Sequence, residues 1–222
     1  MPLMVVSNIS RCLALCLVPH FSSMGVGPYE TRTHSAALAY DIGIDFVRSW
    51  HREPGLIEAF ADSVLEVAGA GDGRPVSPEL HVIFTAHSLP QAAVPAGDPY
   101  QAQLLETAAL VAARIGLASS RWRLAYQGAV VTGQEWLGPS VEEAVASLAA
   151  EGARSALVCP IGFVLDQVET LFDLDVLLRE QARRLGLDLA RPRALNDGEP
   201  LAEALAGVVE RWQRGSEGAG DD

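Results

Sequence analysis

VIFTAHSLP, residues 82–90, is the stretch of the sequence that decides the fold. The apolar run at 80–84 is typical of a buried strand, and the small polar residues and Pro90 that follow cannot continue it. His87 is therefore expected at the carboxyl end of a parallel strand, the edge at which open α/β sheets bind ligands. From this stretch alone, a loop histidine with a structural hydrogen bond is an equally good interpretation.

Strands and helices alternate along the chain, which predicts a parallel sheet. The predicted strands span 12–18, 44–50, 80–86, 122–127 and 156–161, and the predicted helices span 29–41, 53–68, 101–115, 140–151 and 199–213. We assign the last four strands to one four-stranded parallel sheet with right-handed crossovers. Helices on both faces make this a three-layer, Rossmann-like α/β fold.

Composition narrows the range of functions. The chain has 222 residues, of which 49% are hydrophobic, enough for a sizeable core in one or two domains. A net charge of −12 argues against nucleic acid and against an electrostatic anchor on anionic lipid. No apolar run approaches the length of a membrane span. Residues 12–18 could form a weak signal-peptide core, but no clear cleavage site follows and we favour a buried strand.

The three cysteines are an odd number. Cys12 and Cys16 on one strand would lie about 13 Å apart at ~3.3 Å per residue, whereas a disulfide needs Cα atoms within about 7 Å. We therefore expect free buried thiols in a reducing compartment, which predicts a cytoplasmic protein.

Acidic residues follow one another at helical spacing in the stretch 166–180. At 100° per residue, Asp166, Glu169, Asp173 and Glu180 fall within about 60° of one another, and Asp175 points away. Such a row is either a relay for protons or hydrated metal, or a solvated helix face. The solvated face is the usual meaning of the pattern.

Several motifs together resemble the ferrochelatase family in order and spacing. They are FTAHSLP at 84–90, GDPY at 97–100, YQ at 126–127, EWLGP at 135–139 and PIGFVLDQVETLFDLD at 160–175. PHFS at 19–22, followed by Tyr29, is most similar to the bacterial branch that metallates coproporphyrin. The resemblance runs from about 12 to 212 and covers only the later two thirds of a normal family member.

The resemblance implies a chelatase-type fold and a lyase of haem biosynthesis. Such an enzyme inserts Fe²⁺ into coproporphyrin III or protoporphyrin IX, releases two protons and yields a haem-type product. His87 and Glu169 match the family's paired active-site residues, to which we assign metal binding and proton acceptance jointly. Tyr29 matches a porphyrin contact, although a core aromatic is the equal alternative. Asp173 and Asp166 would extend a relay, which Leu177 would interrupt.

Fe²⁺ is then a substrate, and we expect no permanently bound cofactor. Because the chain lacks a cysteine quartet, we expect no iron–sulfur cluster. Three residues at predicted strand ends are weaker candidates for the binding edge: Ser22, Ser49 and Trp50.

The resemblance also suggests how the chain is divided. Residues 1–43 would be a remnant of a first chelatase-like domain, and 44–190 a complete domain with the metal site. Residues 191–214 would be a helix that packs back on the first domain, and 215–222 a disordered tail. Exposed remnants of the first domain would favour self-association. Two other interpretations stay open: a catalytically weak porphyrin-binding fragment, and a related chelatase for another metal or tetrapyrrole.

Overall fold

The computed structural model describes residues 9–71, 74–130 and 133–217. The strands are β1 Arg11–Leu15, β2 Gly43–Val47, β3 Val82–His87, β4 Trp122–Gln127, β5 Ser155–Cys159 and β6 Asp188–Ala190. The helices are α1 Val26–Leu38, α2 Pro54–Val67, α3 Tyr100–Arg114, α4 Val141–Ala150, the composite α5 at 168–184, and α6 Glu199–Glu217. Two short 3₁₀ turns, Gln91–Ala93 and Ser119–Arg121, precede α3 and β4.

The predicted parallel sheet of four strands is present, in the order β4-β3-β5-β6. Its β3 lies between β4 and β5, and residues 82–86 are all fully buried, which agrees with the buried strand that the apolar run predicted. Along β3 the side chains alternate between two clusters. Phe84 packs with α2 and α3 on one face, and Ile83 packs with α4 and α5 on the other. The result is the expected three-layer α/β arrangement.

One strand assignment is wrong. The strand predicted at 44–50 does not join the four-stranded sheet: β2 pairs in parallel with β1, from Arg11 opposite Gly43 to Leu15 opposite Val47, in a separate two-stranded sheet. The fourth strand of the main sheet is β6, which pairs with β5. β6 has three residues and begins with Asp188, so the sequence contains no apolar run that could predict it. The alternating pattern of β2 suits a half-exposed sheet better than a buried centre.

Helix ends follow the sequence signals. The helix predicted at 140–151 begins with a capping box of Ser140 and Glu143, in which each side chain is bonded to the other's backbone N–H. Gly116, at φ +70°, terminates α3 where predicted. In α2, Leu56, Phe60 and Val64 are buried, as apolar residues at helical spacing should be, whereas Val67, at the same spacing, is 39% exposed.

The C-terminal helix α6 packs along α2 and reaches β2 with its end. Gly55 of α2 lies so close to Ala204 that an added Cβ would be 3.0 Å from the Ala204 Cα. Near the end of α6, the Trp212 indole donates to Asp45 Oδ2 at 2.9 Å, and Arg211 forms an ion pair with the buried Glu53. The division of the chain at residues 43 and 190 stays a prediction. The helix extends to Glu217, and the rest of the predicted disordered tail, 218–222, lies outside the described residues.

None of the three cysteines, all of which lie in the described ranges, takes part in a disulfide. Burial raises the pKa of Cys159, on β5, to about 12. In the described part of the chain, no helix combines the length and apolar character needed to cross a bilayer.

His20 is one of the most deeply buried polar side chains. Its ring is 1% exposed, and Nε2 lies 2.9 Å from the Thr107 hydroxyl. The ring of His51 is 6.0 Å away, and His51 in turn contacts Glu106. Burial, with a smaller contribution from His51, lowers the pKa of His20 to about 3. The neutral ring is therefore the form that the fold accommodates.

His20 should make the protein sensitive to acid. The unfolded chain binds a proton at this residue below about pH 6.5, whereas the folded chain does not until about pH 3. Stability from this group is complete above pH 6.5 and falls by about 1.4 kcal/mol per pH unit as the pH drops through that window. In urea unfolding experiments between pH 7 and pH 4, the free energy of unfolding should fall less steeply with decreasing pH for His20→Gln than for wild type. His34→Gln, at an exposed position, serves as the control; equal slopes for all three proteins would refute the assignment.

Candidate active site

The backbone at the end of β3 is fixed from three directions. The Ser88 N–H donates to Gln127 O on β4 at 2.7 Å, and the Ser88 hydroxyl donates to Leu137 O at 2.8 Å. The Tyr100 hydroxyl, at the start of α3, donates to His87 O at 2.9 Å. His87 therefore stands on a rigid edge, as expected for a group that must be positioned accurately.

The imidazole of His87 lies between a carbonyl and a carboxylate. Nδ1 is 2.5 Å from Ser88 O, and Nε2 is 3.2 Å from Glu169 Oε1. The His87 side chain is 36% exposed and that of Glu169 is 51% exposed. The two residues are 82 positions apart in the sequence, yet the sheet edge and α5 bring them together. Solvent and a substrate can reach both.

The geometry defines what the pair can do. A carbonyl oxygen only accepts, so the short contact with Ser88 O places a hydrogen on Nδ1. Nε2 of the neutral ring then points a lone pair at the Glu169 carboxylate, which also carries lone pairs. A proton or a cation between the two atoms satisfies both of them. The His87–Glu169 pair can therefore bind one positive charge, either a proton or a cation, from the solvent side.

Glu169 is carried by a helix of unusual geometry. α5 begins as α-helix at Val168–Thr170, continues as π-helix at Leu171–Leu178 and returns to α-helix at Arg179–Arg184. A wide turn of this kind is rare and is frequently found at functional sites. The sequence analysis could not reveal it, because the acidic residues of 166–180 were placed at 100° per residue, the angle of an α-helix. We name Leu171–Leu178 the π segment.

The π segment and the loop before it break up the predicted acidic row. Asp166 precedes the helix and is bound by Arg191 and Asn196, so its predicted place on the helix face beside Glu169 is wrong. Glu180 lies in the last α-helical part, where Arg183 and Arg184 lower its pKa to about 2.

Asp173 is the member of the row that stays electrostatically connected to Glu169. Burial, and then the negative charges of Glu169 and Glu142, raise the pKa of Asp173, while His87 acts in the opposite direction. A carboxyl group with a raised pKa beside the His87–Glu169 pair is suited to pass a proton on. Its role in a relay remains a prediction.

Gly128, immediately after β4, is a site residue that the sequence analysis missed. It adopts φ +73°, and an added Cβ would be 2.5 Å from Glu169 Oε1 and 2.7 Å from His87 Nε2. Only glycine leaves this space open while adopting that backbone. Its position directly after the YQ motif was the available signal.

Gly128→Ala should separate the pair. The new methyl group would occupy the space beside Oε1 and Nε2, and misplacement of reacting groups by about 1 Å can cost 10²-fold in rate. Gly116→Ala is the matched control, because Gly116 has a similar φ of +70° but no atom within 4 Å of an added Cβ. Metal-insertion rates and thermal unfolding of both variants distinguish separation of the pair from backbone strain at positive φ. An equal loss of insertion rate in both variants would show that backbone strain alone is responsible.

None of the hydrogen bonds described for the remaining candidates joins them to His87 or Glu169. Tyr29, in the first turn of α1, is 62% exposed, and its role as a porphyrin contact stays a prediction. Ser22, Ser49 and Trp50 make structural hydrogen bonds within the N-terminal part: Ser22 with Gly25 N, Ser49 with Pro19 O, and Trp50 with Cys16 O. Among the described residues, no three His, Cys, Asp or Glu side chains converge in a way that could hold a metal ion.

Comparison with known proteins gives a consistent result. A sequence model of the ferrochelatase family matches residues 3–213. The ferrochelatase of Deinococcus radiodurans is 40% identical over 211 residues, covering 94% of this chain and 66% of that protein. The coproporphyrin III ferrochelatase of Halalkalibacterium halodurans is 34% identical over 208 residues, covering 92% of this chain and 65% of that protein. The chain thus spans about two thirds of the length of these curated relatives.

Solved structures share the fold. SirB from Bacillus subtilis with Fe³⁺ superposes with a TM-score of 0.71 at 12% identity, over 97% of this chain and 76% of that one. The sirohydrochlorin chelatase SirB from Bacillus subtilis subspecies spizizenii, in complex with cobalt, gives 0.65 at 12% identity, over 96% and 74% of the two chains. These similarities establish the chelatase-type fold, and the sequence matches carry the assignment further: the chain belongs to the ferrochelatase family.

Proposed function

We propose that this chain carries the metal-insertion site of a ferrochelatase, a lyase that places Fe²⁺ in a porphyrin with release of two protons. The observation that carries the proposal is the His87–Glu169 pair, with Nε2 and Oε1 3.2 Å apart at the carboxyl edge of the sheet. Family membership supports the reaction, and the printed names of relatives include both ferrochelatase and coproporphyrin III ferrochelatase.

The pair meets the chemical needs of the reaction. Imidazole nitrogen and carboxylate oxygen are suitable ligands for Fe²⁺ and suitable acceptors for pyrrole protons. Two protein ligands leave most coordination positions of the ion available to the incoming macrocycle. We assign metal binding and proton acceptance to His87 and Glu169 jointly. Asp173, with its raised pKa, would receive protons from the pair.

The surface beside Glu169 suits a flat apolar substrate. Val168 is 84% exposed and Phe172 is 53% exposed, on either side of the carboxylate along α5. Large exposed apolar side chains next to a polar pair are typical of a binding surface. We propose that they contact the porphyrin face, with Tyr29 as a further contact. A cytoplasmic location and self-association through the β1–β2 region are part of the same proposal.

The test is anaerobic metal insertion by the purified 222-residue chain. Loss of porphyrin fluorescence after Fe²⁺ addition should be faster than in buffer, with coproporphyrin III and protoporphyrin IX compared directly. Porphyrin binding without insertion would favour a catalytically weak fragment. Insertion of Co²⁺ into sirohydrochlorin in preference to both porphyrins would favour a related chelatase. Size-exclusion chromatography of the same samples tests self-association.

A further inference from the structure

A buried cluster of charges braces the helix that carries Glu169. Arg191, directly after β6, has a side chain that is only 7% exposed. Its Nε and Nη2 donate to the two carboxylate oxygens of Asp175 at 2.8 and 2.7 Å, and Nη1 donates to Asp166 Oδ1 at 3.0 Å. Asn196 Nδ2 donates to the other oxygen of Asp166 at 3.0 Å. We call these four residues the Arg191 clamp.

The two carboxylates of the Arg191 clamp lie before and after Glu169 in the sequence. Asp166 lies two residues before α5, and Asp175 lies inside the π segment, so one guanidinium holds the helix on both sides of Glu169. The Asp166 N–H also donates to Asn196 Oδ1 at 2.9 Å, which fixes the chain as it enters the helix. On another side of α5, Leu174 and Leu178 are buried against the sheet. The helix is therefore tied by packing on one side and by charge on another.

The energetics favour a positioning role over simple stabilisation. A π-helix is rare and occurs mostly as a single turn, so we expect the eight-residue π segment to depend on contacts from outside the helix. Burying an arginine with two carboxylates gives little net stability, whereas loss of one partner is costly. The planar fork of the guanidinium also fixes the geometry of the carboxylates that it joins. Asn196 and Arg191 lower the pKa of Asp166 although its burial acts in the other direction. The pKa of Arg191 is raised, and its hydrogen bond to Asp175 makes the largest contribution.

We propose that Arg191 is a positioning residue for the His87–Glu169 pair, because its bonds to Asp166 and Asp175 hold the π segment in the form that directs Glu169 at His87. Arg191 itself has no contact with the pair among those described. The kinetic part of this inference rests on the proposed function; the structural part does not.

The test compares two identical substitutions. Arg191→Lys keeps the charge but loses the planar fork that joins both carboxylates. Arg184→Lys on α5 is the matched control, because Arg184 forms an exposed ion pair with Glu180 at 3.0 Å. For Arg191→Lys we expect amide hydrogen exchange across 168–178 to be faster by about tenfold, with exchange in β3 unchanged. We expect kcat for metal insertion to fall by about tenfold while KM for porphyrin stays within about twofold.

The outcomes are separable. Unchanged exchange across 168–178, or a fall in kcat that Arg184→Lys reproduces, would overturn the inference. If the wild-type chain inserts no metal, the proposed function fails, and the exchange measurement alone decides on the clamp. Asp175→Asn keeps the shape and one acceptor, and serves if Arg191→Lys does not fold. Wild-type exchange and kcat in that variant would equally refute the positioning role.

Discussion

His87→Ala should abolish metal insertion while leaving the fold intact. The ring contributes Nε2 to the pair and makes its other described contact through Nδ1 with Ser88 O, next to it in the chain. The backbone at this point is held by Ser88 and Tyr100 through main-chain atoms that the substitution does not remove. We expect the rate of Fe²⁺ insertion to fall to that of buffer, with an unchanged circular dichroism spectrum and a small change in unfolding temperature.

His34→Ala is the matched control, because His34 is exposed on α1 and near Phe46 rather than near the pair. It should retain the wild-type rate. Activity near wild type in His87→Ala would remove His87 from the mechanism, whereas loss of folding would make it a structural residue. Neither result is compatible with the role assigned here.

Glu169→Gln should lower the rate of metal insertion by at least ~10²-fold, the usual cost of a lost acid or base group. The amide keeps the shape of the side chain but removes its charge and basicity. It would also present an N–H or a weaker acceptor to His87 Nε2, so the place for a cation is lost. Porphyrin affinity should change little, since the flanking apolar side chains are untouched.

Fluorescence titration with porphyrin and stopped-flow insertion of Fe²⁺ separate affinity from rate. Glu180→Gln provides the control on the same helix, where the carboxylate is paired with Arg183 and Arg184 away from the pair. If porphyrin affinity collapses together with the rate, Glu169 is a binding residue and the proposed role is wrong. A loss of similar size in Glu180→Gln would point to the charge of the helix as a whole.

The sequence was most informative where a local pattern of residues determines the structure. The apolar run before His87 predicted β3 as a buried strand, and the helix boundaries next to Ser140 and Gly116 were predicted correctly because they depend on local chemistry. The fold class followed from the alternation of strands and helices. His87 and Glu169 came from the resemblance, and no periodicity could have shown that they lie 3.2 Å apart.

The failures share a physical cause, since each feature depends on contacts distant in sequence. β6 is too short for a pattern and exists because β5 offers it an edge. Asp166 lies in the loop before α5, where Arg191 and Asn196 hold it, so the assumption of a helix that includes residue 166 misplaced it. Gly128 matters only because Glu169 and His87 approach its Cα from other elements. Pairing, helix widening and close approach are properties of the assembled chain.

The end of α6 has a consequence for how the two sheets can move relative to each other. Arg211 donates to Glu53 Oε1 at 3.1 Å, and the neighbouring Trp212 donates to Asp45. Two adjacent residues of α6 therefore bind β2 and the residue that directly precedes α2. Asp45 is also bound by Arg11 of β1 at 2.7 Å. Relative motion of the two sheets would have to break at least one of these bonds, either to the buried Glu53 carboxylate or to Asp45 on β2. Because α6 ties β2 to the start of α2, we expect the arrangement of the two sheets to change little when a ligand binds.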